Sequence, residues 1–374
     1  MRAMILIAVQ ILAAFILNAQ AKAPKELGKS VSNFTRDFFY VGGTYAGDPG
    51  KEVMRGQMYV ERLQPRKVKS GYPLVLIHGA AQTATNWLST PDGRKGWADY
   101  FVEQGYVVYI VDQPARGRSA WHPDQNGNLR MFTVQQLEKL FTASKELGDW
   151  PQAKLHTQWP GTGRKGDPVF DAFYASQVES RASDIETQTL TQNAGAALLD
   201  KIGPAILLTH SQSGLLGWVI AEVRPQLVKA IVALEPSGPP FHNAAPGDPK
   251  ARAFGITDLH ITYDPPVSDP GQIRIKRQEN PDREGLITCT LQEEPVRKLV
   301  NFSKIQIMIG VSESSYHAPY DHCTAKYMAQ AGVPVEFVRL VEKDIRGNGH
   351  MMMLEKNNLE IAAFLDKWMR ANVK

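Results

Sequence analysis

The chain has 374 residues, 43% of them hydrophobic and 21% charged, with a formal net charge of +4 at pH 7. A chain of this length and composition can bury a full-sized core, which excludes an intrinsically disordered protein. Because the net charge is small for the length and no run of five basic residues occurs, we expect no nucleic-acid partner.

The first 21 residues have the form of a secretory signal peptide. Arg2 precedes an apolar stretch from Ala3 through Leu17, and Ala19-Gln20-Ala21 provides a small-x-small cleavage site. The apolar stretch is shorter than the about 20 residues of a membrane-spanning helix. We therefore predict a secreted or periplasmic protein in which residues 1–21 are removed, residues 22–374 form a single domain, and no membrane association remains after cleavage.

The chain contains two cysteines, Cys289 and Cys323. Their number is consistent with an oxidising compartment, and the sequence leaves open whether they form a disulfide or stay as two buried thiols. Neither is followed by a small-residue turn and a helix, so neither is interpreted as a nucleophile.

Apolar runs in the first third of the chain predict a mixed sheet. Phe34–Val41 and Met54–Leu63 are typical of an antiparallel edge pair. Tyr72–Ile77 and Tyr106–Val111 are apolar without alternation, which indicates strands buried on both faces, and a helix over Trp97–Glu103 lies between them. Strands of this kind occur in parallel sheets that are covered by helices on both sides.

Small residues follow the first of these buried strands, in the run His78-Gly79-Ala80-Ala81. Small side chains there allow a backbone N–H to point into a site at the carboxyl end of the strand. Acyl transfer needs such a donor to stabilise the negative charge that builds on a former carbonyl oxygen. Taken alone, the same pattern also suits an ordinary tight turn.

A nucleophile elbow is predicted at Ile206–Trp218, where a buried strand meets a group of small polar residues and then a helix. An elbow needs small residues two places before and after its nucleophile. Around Ser211 these positions hold Thr209 and Ser213. Around Ser213 the second flanking position would hold a leucine, which does not fit, so Ser211 is the predicted nucleophile.

A carboxylate and a histidine follow later strands. Glu235 ends the predicted strand Leu227–Leu234 and so lies on the sheet edge that carries the elbow, although a glutamate before a proline also suits a plain turn. His350 stands on a glycine-flanked loop after the predicted last strand, Val335–Val341, from which it can reach back to the elbow. The remaining predicted elements are a strand over Ile305–Ile309 and helices over about 181–199, 320–330 and 358–372.

The order of these landmarks identifies the chain as similar to the α/β-hydrolase superfamily. The resemblance is carried by the His-Gly strand end, by the turn Asp112–Ser119 and by the Ser211 elbow. It implies an α/β-hydrolase fold, a mostly parallel central sheet flanked by helices. Insertions at about 120–180 and 241–303 are then expected to form a lid or cap over the site.

The superfamily resemblance leaves the catalytic acid open. Most α/β-hydrolases carry the acid after the strand that would here offer Glu313 or Asp321. A minority carry it one strand earlier, where Glu235 stands. The order serine, acid, histidine favours His350 as the base.

Three segments look like those of the secreted bacterial esterase 713 group: Thr209–Gly214, Leu234–Gly238 and Gly347–Met353. That resemblance implies Ser211 as nucleophile, Glu235 as acid and His350 as base, with Ala80 and Gln212 giving the oxyanion N–H groups. The chain departs from the group in the oxyanion loop, where members can carry cysteines and this sequence has alanines.

We therefore predict a secreted serine hydrolase that cleaves small-molecule carboxylic esters through an acyl-enzyme, without a cofactor or a metal ion. A lactonase, or a hydrolase of a natural-product or polymer ester, would use the same triad. An inactive α/β-hydrolase that acts as a binding protein is the alternative from another class. His317 and His322 match no tight metal motif, and a polar loop is the favoured interpretation of that segment.

Overall fold

The computed structural model describes residues 34–242 and 252–373, so the predicted signal peptide lies outside the described residues. Phe34–Lys374 cluster as one unit. Within the described ranges, no helix combines the length and the apolar character that a membrane span requires.

An eight-stranded sheet forms the centre of the molecule. Its strands in chain order are β1 (Phe34–Ala46), β2 (Val53–Pro65), β3 (Leu74–Ile77), β4 (Val108–Asp112), β5 (Ala205–His210), β6 (Val228–Leu234), β7 (Gln306–Val311) and β8 (Val335–Arg339). Across the sheet they are ordered β1-β2-β4-β3-β5-β6-β7-β8. The pairs β1·β2 and β2·β4 are antiparallel and all other pairs are parallel, which confirms the predicted fold class.

In the described ranges, five helices cover the sheet: α1 (Trp97–Glu103), α2 (Asp184–Ile202), α3 (Ser213–Val223), α4 (Asp321–Gln330) and α5 (Asn358–Asn372). Alternate residues of one strand enter two different hydrophobic clusters. In β3, Val75 and Ile77 pack in the cluster that contains residues of α2, α3 and α4, whereas Leu74 and Leu76 pack with residues of α1 and α5. The unbroken apolar runs in the sequence are thus explained, because both faces of these strands are buried.

The segment 120–180 contains short elements instead of one regular helix. Its short helices are Pro123–Asn126, Val134–Leu137, Ser144–Leu147 and Pro168–Ala175, with a π turn at Glu138–Thr142 and a 3-10 turn at Ala153–Leu155. An antiparallel bridge between Leu129–Arg130 and Ser180–Arg181 closes the base of the segment.

The described part of the second insertion consists of two small antiparallel ribbons. Tyr263–Asp264 pairs with Lys298–Leu299, and Ile275–Arg277 pairs with Thr290–Gln292. Cys289 and Cys323 form a disulfide that joins this insertion to α4, which answers the question that the sequence left open. Further 3-10 turns lie at Ala84–Trp87, Pro270–Gln272, Val300–Phe302 and Leu340–Lys343.

Candidate active site

Ser211 lies on the sharp turn between β5 and α3, with φ at +58° in the left-handed region. This conformation is strained for a residue with a side chain, and it projects the serine out of the turn. The surroundings are crowded: a Cβ placed on Gly79 would lie 3.0 Å from the Ser211 Cβ, and one placed on Gly214 would lie 2.3 Å from the Pro236 Cβ. Close packing therefore explains why small residues surround the elbow.

The competing serine, Ser213, forms hydrogen bonds within the elbow and with the end of β3. Its buried hydroxyl accepts a hydrogen bond from the N–H of His210 at 2.7 Å and donates to the carbonyl oxygen of Ile77 at 2.6 Å. Ser211, in contrast, lines a cavity beside the elbow. The geometry thus favours Ser211 as the serine that can meet a ligand.

His350 and Glu235 form a hydrogen-bonded pair at the sheet edge, both fully buried. His350 Nδ1 lies 2.5 Å from Glu235 Oε2. The carboxylate also accepts from the backbone N–H of Ser312 at 2.8 Å and from the hydroxyl of Ser315 at 2.6 Å. The ring and the two serine donors therefore hold the carboxylate in one orientation, as a base with a defined tautomer requires.

Burial has the largest influence on the ionisation of this pair. It raises the pKa of Glu235 to about 7, against the lowering influence of His317 and of the serine donors. It also lowers the pKa of His350 well below 6.5, and the neighbouring His317 acts in the same direction. Burial therefore favours the neutral form of both groups, so a further proton goes to the carboxylate before it charges the ring.

The two alternative acids, Asp321 and Glu313, form hydrogen bonds with groups other than His350. Asp321 Oδ1 lies 2.8 Å from Nδ1 of His317, and both groups are buried. Glu313 accepts from the backbone N–H of Gly347 at 2.7 Å. Of the three carboxylates considered from the sequence, Glu235 is the one bonded to His350.

Among the described residues, four rings pack around His350 in contacts that the sequence pattern did not predict: that of Phe141, at a centroid distance of 4.9 Å, and those of His210, Tyr316 and His317. His317 stacks on His350 with ring centroids 4.9 Å apart and planes 7° apart, and His210 lies at 4.4 Å. The Tyr316 hydroxyl lies 3.4 Å from His350 Nε2, and Tyr316 also lines the cavity at Ser211. Tyr316 and His317 follow the carboxyl end of β7, and this position was the only signal that pointed to them.

The two predicted oxyanion residues, Ala80 and Gln212, line the same cavity as Ser211. Gln212 precedes the first residue of α3, at a helix terminus where N–H groups lack intrahelical acceptors. The loop after Ala80 is held in place, because the N–H of Ala81 donates to the hydroxyl of Ser180 at 2.8 Å.

The cavity above Ser211 has a volume of about 410 Å³, and the segment 120–180 supplies much of its wall. That wall mixes apolar Met131, Phe132 and Leu140 with polar Gln136 and Lys139. A smaller pocket of about 30 Å³ lies between Ser211 and His350. Ser211 thus opens onto a space large enough for a small-molecule ligand.

Two groups of side chains in the described ranges have metal-ligand chemistry. In the first, Cys289, His322 and Cys323 are close together, but the sulfurs are bonded to each other. In the second, His210 joins Glu235 and His350, and the nitrogen Nε2 of His210 is already 2.9 Å from the carbonyl oxygen of His350. Neither group offers three uncommitted ligand atoms.

The strand order, the strained serine and the buried histidine–glutamate pair define a hydrolase of the α/β class, and comparison with known families agrees. Residues 74–364 match the model of the alpha/beta hydrolase family. The chain belongs to this family, and the superfamily prediction is confirmed.

Two particular proteins are similar to the chain over most of its length. It is 44% identical over 370 residues to a probable secreted lipase, phiG, of Fungal sp. (strain ATCC 74256), covering 98% of each chain. The structure of a bacterial esterase matches 94% of this chain and 100% of its own, with a TM-score of 0.59 and 23% identity. The second likeness shows the fold alone.

Proposed function

We propose that the protein is a serine hydrolase that cleaves carboxylic esters through an acyl-enzyme, with Ser211, His350 and Glu235 as its triad. The hydrogen-bonded pair of His350 and Glu235 beside a strained serine is the observation that supports this proposal most directly. The name of the 44% identical relative, a probable secreted lipase, supports an ester as the substrate.

In the proposed reaction His350 Nε2 takes the proton of the Ser211 hydroxyl while the serine oxygen attacks the ester carbonyl carbon. The carbonyl oxygen becomes an oxyanion, which the N–H groups of Ala80 and Gln212 stabilise. When the intermediate collapses, the bond to the alcohol breaks and His350 returns the proton to the leaving oxygen. Water then repeats the sequence on the acyl-enzyme and releases the acid.

Glu235 acts through His350 in this scheme. It keeps the ring proton on Nδ1, so that Nε2 is free to accept the serine proton, and it stabilises the imidazolium that forms. The two serine donors that hold the carboxylate, Ser312 and Ser315, keep it aimed at the ring. The Tyr316 hydroxyl lies 3.4 Å from the same Nε2, so it neighbours the proposed proton transfer.

The proposal includes export. The relative at 44% identity is named as secreted, which supports a secreted location for this chain. Residues 1–21 are proposed as the signal peptide, and the disulfide between Cys289 and Cys323 suits an oxidising compartment.

Replacing each elbow serine in turn tests the nucleophile. Ser211→Ala should abolish hydrolysis of p-nitrophenyl esters and covalent labelling by a fluorophosphonate, while the thermal melt stays cooperative. Ser213→Ala should keep labelling at Ser211, although the lost buried hydrogen bonds should lower the melting temperature. Labelling that survives in Ser211→Ala and disappears in Ser213→Ala would contradict the assignment.

The substrate class is tested by comparing ester series. A panel of p-nitrophenyl esters of rising acyl length, run beside lactones, separates an esterase from a lactonase on the same triad. Fluorophosphonate labelling of Ser211 is expected from either enzyme. An unlabelled wild-type protein would instead favour the binding-protein alternative.

A further inference from the structure

Arg116 is a buried cation near the proposed oxyanion groups, and it lies on the turn that follows β4. The residue is 4% exposed. In the described ranges, no carboxylate oxygen lies within ion-pair distance of its guanidinium. Burial lowers the pKa of Arg116 to about 9, so the side chain is still charged at pH 7. A buried charge without a paired carboxylate lowers the stability of the fold. A functional role would explain why this arginine is buried here.

The guanidinium instead bonds to Gln212, one of the two residues proposed for the oxyanion hole, and to Gly79, which precedes the other one, Ala80. One nitrogen donates to the carbonyl oxygen of Gly79 at 2.8 Å, and another donates to Oε1 of Gln212 at 3.2 Å. The Gly79 carbonyl belongs to the same peptide group as the N–H of Ala80. Because a peptide group is planar, fixing its carbonyl also fixes the direction of that N–H.

A second donor acts on the same carbonyl. The backbone N–H of Gln113 donates to Nε2 of His78 at 3.2 Å, so the ring carries its hydrogen on Nδ1. That nitrogen lies 2.9 Å from the Gly79 oxygen and donates to it. Burial lowers the pKa of His78 to about 3, so the ring stays neutral. The peptide group is therefore held and polarised from two sides.

We propose that Arg116 is a positioning residue for the oxyanion hole: one guanidinium orients the Ala80 N–H through Gly79 and holds Gln212 through its side chain. The inference rests on the proposed ester hydrolysis. The guanidinium charge also lies behind the peptide whose N–H faces the developing oxyanion. In a dry site such a charge is weakly screened, so it favours the transition state over the ground state.

A neighbouring arginine provides a matched control. Arg118, on the same turn, makes ion pairs with Asp112 at 2.8 Å and with Glu61 at 2.6 Å, and its side chain is 38% exposed. These contacts join the turn to Glu61 in β2 and to Asp112 at the end of β4, and they do not involve Gly79 or Gln212. If a loss of kcat came only from a less stable turn, substitution of either arginine should therefore cause it.

The test compares Arg116→Gln, Arg116→Lys and Arg118→Gln in kcat and KM for p-nitrophenyl acetate, with melting temperatures recorded for each. A trifluoromethyl ketone inhibitor is added because its adduct with the serine places an oxyanion in the hole. Removing one oxyanion donor costs about 100- to 1,000-fold in kcat. Since Arg116→Gln misaims the donors without removing them, we expect a fall of about 10- to 100-fold in kcat, a nearly unchanged KM and an equal loss of inhibitor affinity.

The control and the conservative variant complete the prediction. Arg118→Gln should lower the melting temperature with kcat and inhibitor affinity close to wild type, and Arg116→Lys should recover part of the loss. If Arg116→Gln does not fold, Gln212→Ala removes one of the two contacts and should show a smaller loss of the same kind. Arg116 variants that lose only stability, or that change only KM, would overturn the inference. A wild-type protein without esterase activity and without labelling at Ser211 would overturn the proposed function as well.

Discussion

At the level of single residues, Glu235 and His350 form a buried hydrogen-bonded pair on which the proposed chemistry depends. The carboxylate has no access to water, and its oxygens are bonded to His350, Ser312 and Ser315. A change in this carboxylate therefore alters the tautomer of the ring directly.

Glu235→Gln should lower kcat by about 10³- to 10⁴-fold with a folded protein, because the amide no longer keeps the ring proton on Nδ1. Asp321→Asn and Glu313→Gln should keep most of the rate, since neither carboxylate contacts His350. Steady-state kinetics on the three variants checks this. A near-normal rate in Glu235→Gln with a large loss in Asp321→Asn would move the acid to Asp321.

The pH profile should reflect the raised pKa of Glu235. In the proposed reaction Glu235 keeps the ring proton on Nδ1 only as a carboxylate, and burial raises its pKa to about 7. The lowered pKa of His350 adds no loss in this range, because its Nε2 takes up a proton only in more acidic solution. As the pH falls, kcat/KM should therefore be half lost at about pH 7. A plateau that continues below about pH 6 would contradict the raised pKa of Glu235.

At the level of elements, the elbow depends on close contact between the start of α3 and the chain that follows β6. A methyl group on Gly214 would lie 2.3 Å from the Cβ and 2.7 Å from the Cα of Pro236. The contact includes backbone atoms, so a flexible side chain cannot simply move away.

Gly214→Ala should lower the free energy of unfolding by about 1–3 kcal/mol or more, as overpacking in a core does. Gly71→Ala is the matched control, because a Cβ there has no atom within 4 Å. Denaturant unfolding of both variants gives the comparison. Equal stability of Gly214→Ala and wild type would mean that the β5–α3 turn can relax.

Some helices and strands could be predicted from the sequence, and others could not. Helices α1 and α5 begin and end where the sequence predicted, and the central strands differ by a few residues at their ends. These elements have strong periodic patterns and clear flanking residues. The segment 120–180 lacks such a pattern, and its short helices are stabilised by packing of aromatic residues such as Phe170 and Phe173, which are buried.

At the scale of the whole molecule, the disulfide between Cys289 and Cys323 connects the second insertion to the body across a separation of 34 residues. It lies beside α4, whose first residue, Asp321, pairs with the His317 ring that stacks on His350. The insertion is thus anchored close to the site.

Replacing both cysteines by alanine should lower the free energy of unfolding by about 3–4 kcal/mol, as expected for a cross-link that closes a loop of this length. A thermal melt of the double variant, with and without a reductant, measures the effect. The reductant should lower the melting temperature of the wild type and leave that of the variant unchanged. Equal melting temperatures of oxidised wild type and variant would contradict the prediction.

The sequence by itself determined the parallel sheet and predicted the elbow, because each depends on residues that are neighbours in the chain. The same local pattern supports the proposal of Ser211 over Ser213 as the nucleophile. Only the tertiary structure decided which carboxylate meets His350, since Glu235 and His350 are 115 residues apart. The same holds for the disulfide, for the rings of Tyr316 and His317 against His350, and for the bond between Arg116 and Gln212, 96 residues apart. Local patterns encode burial and turns, whereas these contacts arise where the carboxyl ends of different strands meet at one edge of the sheet.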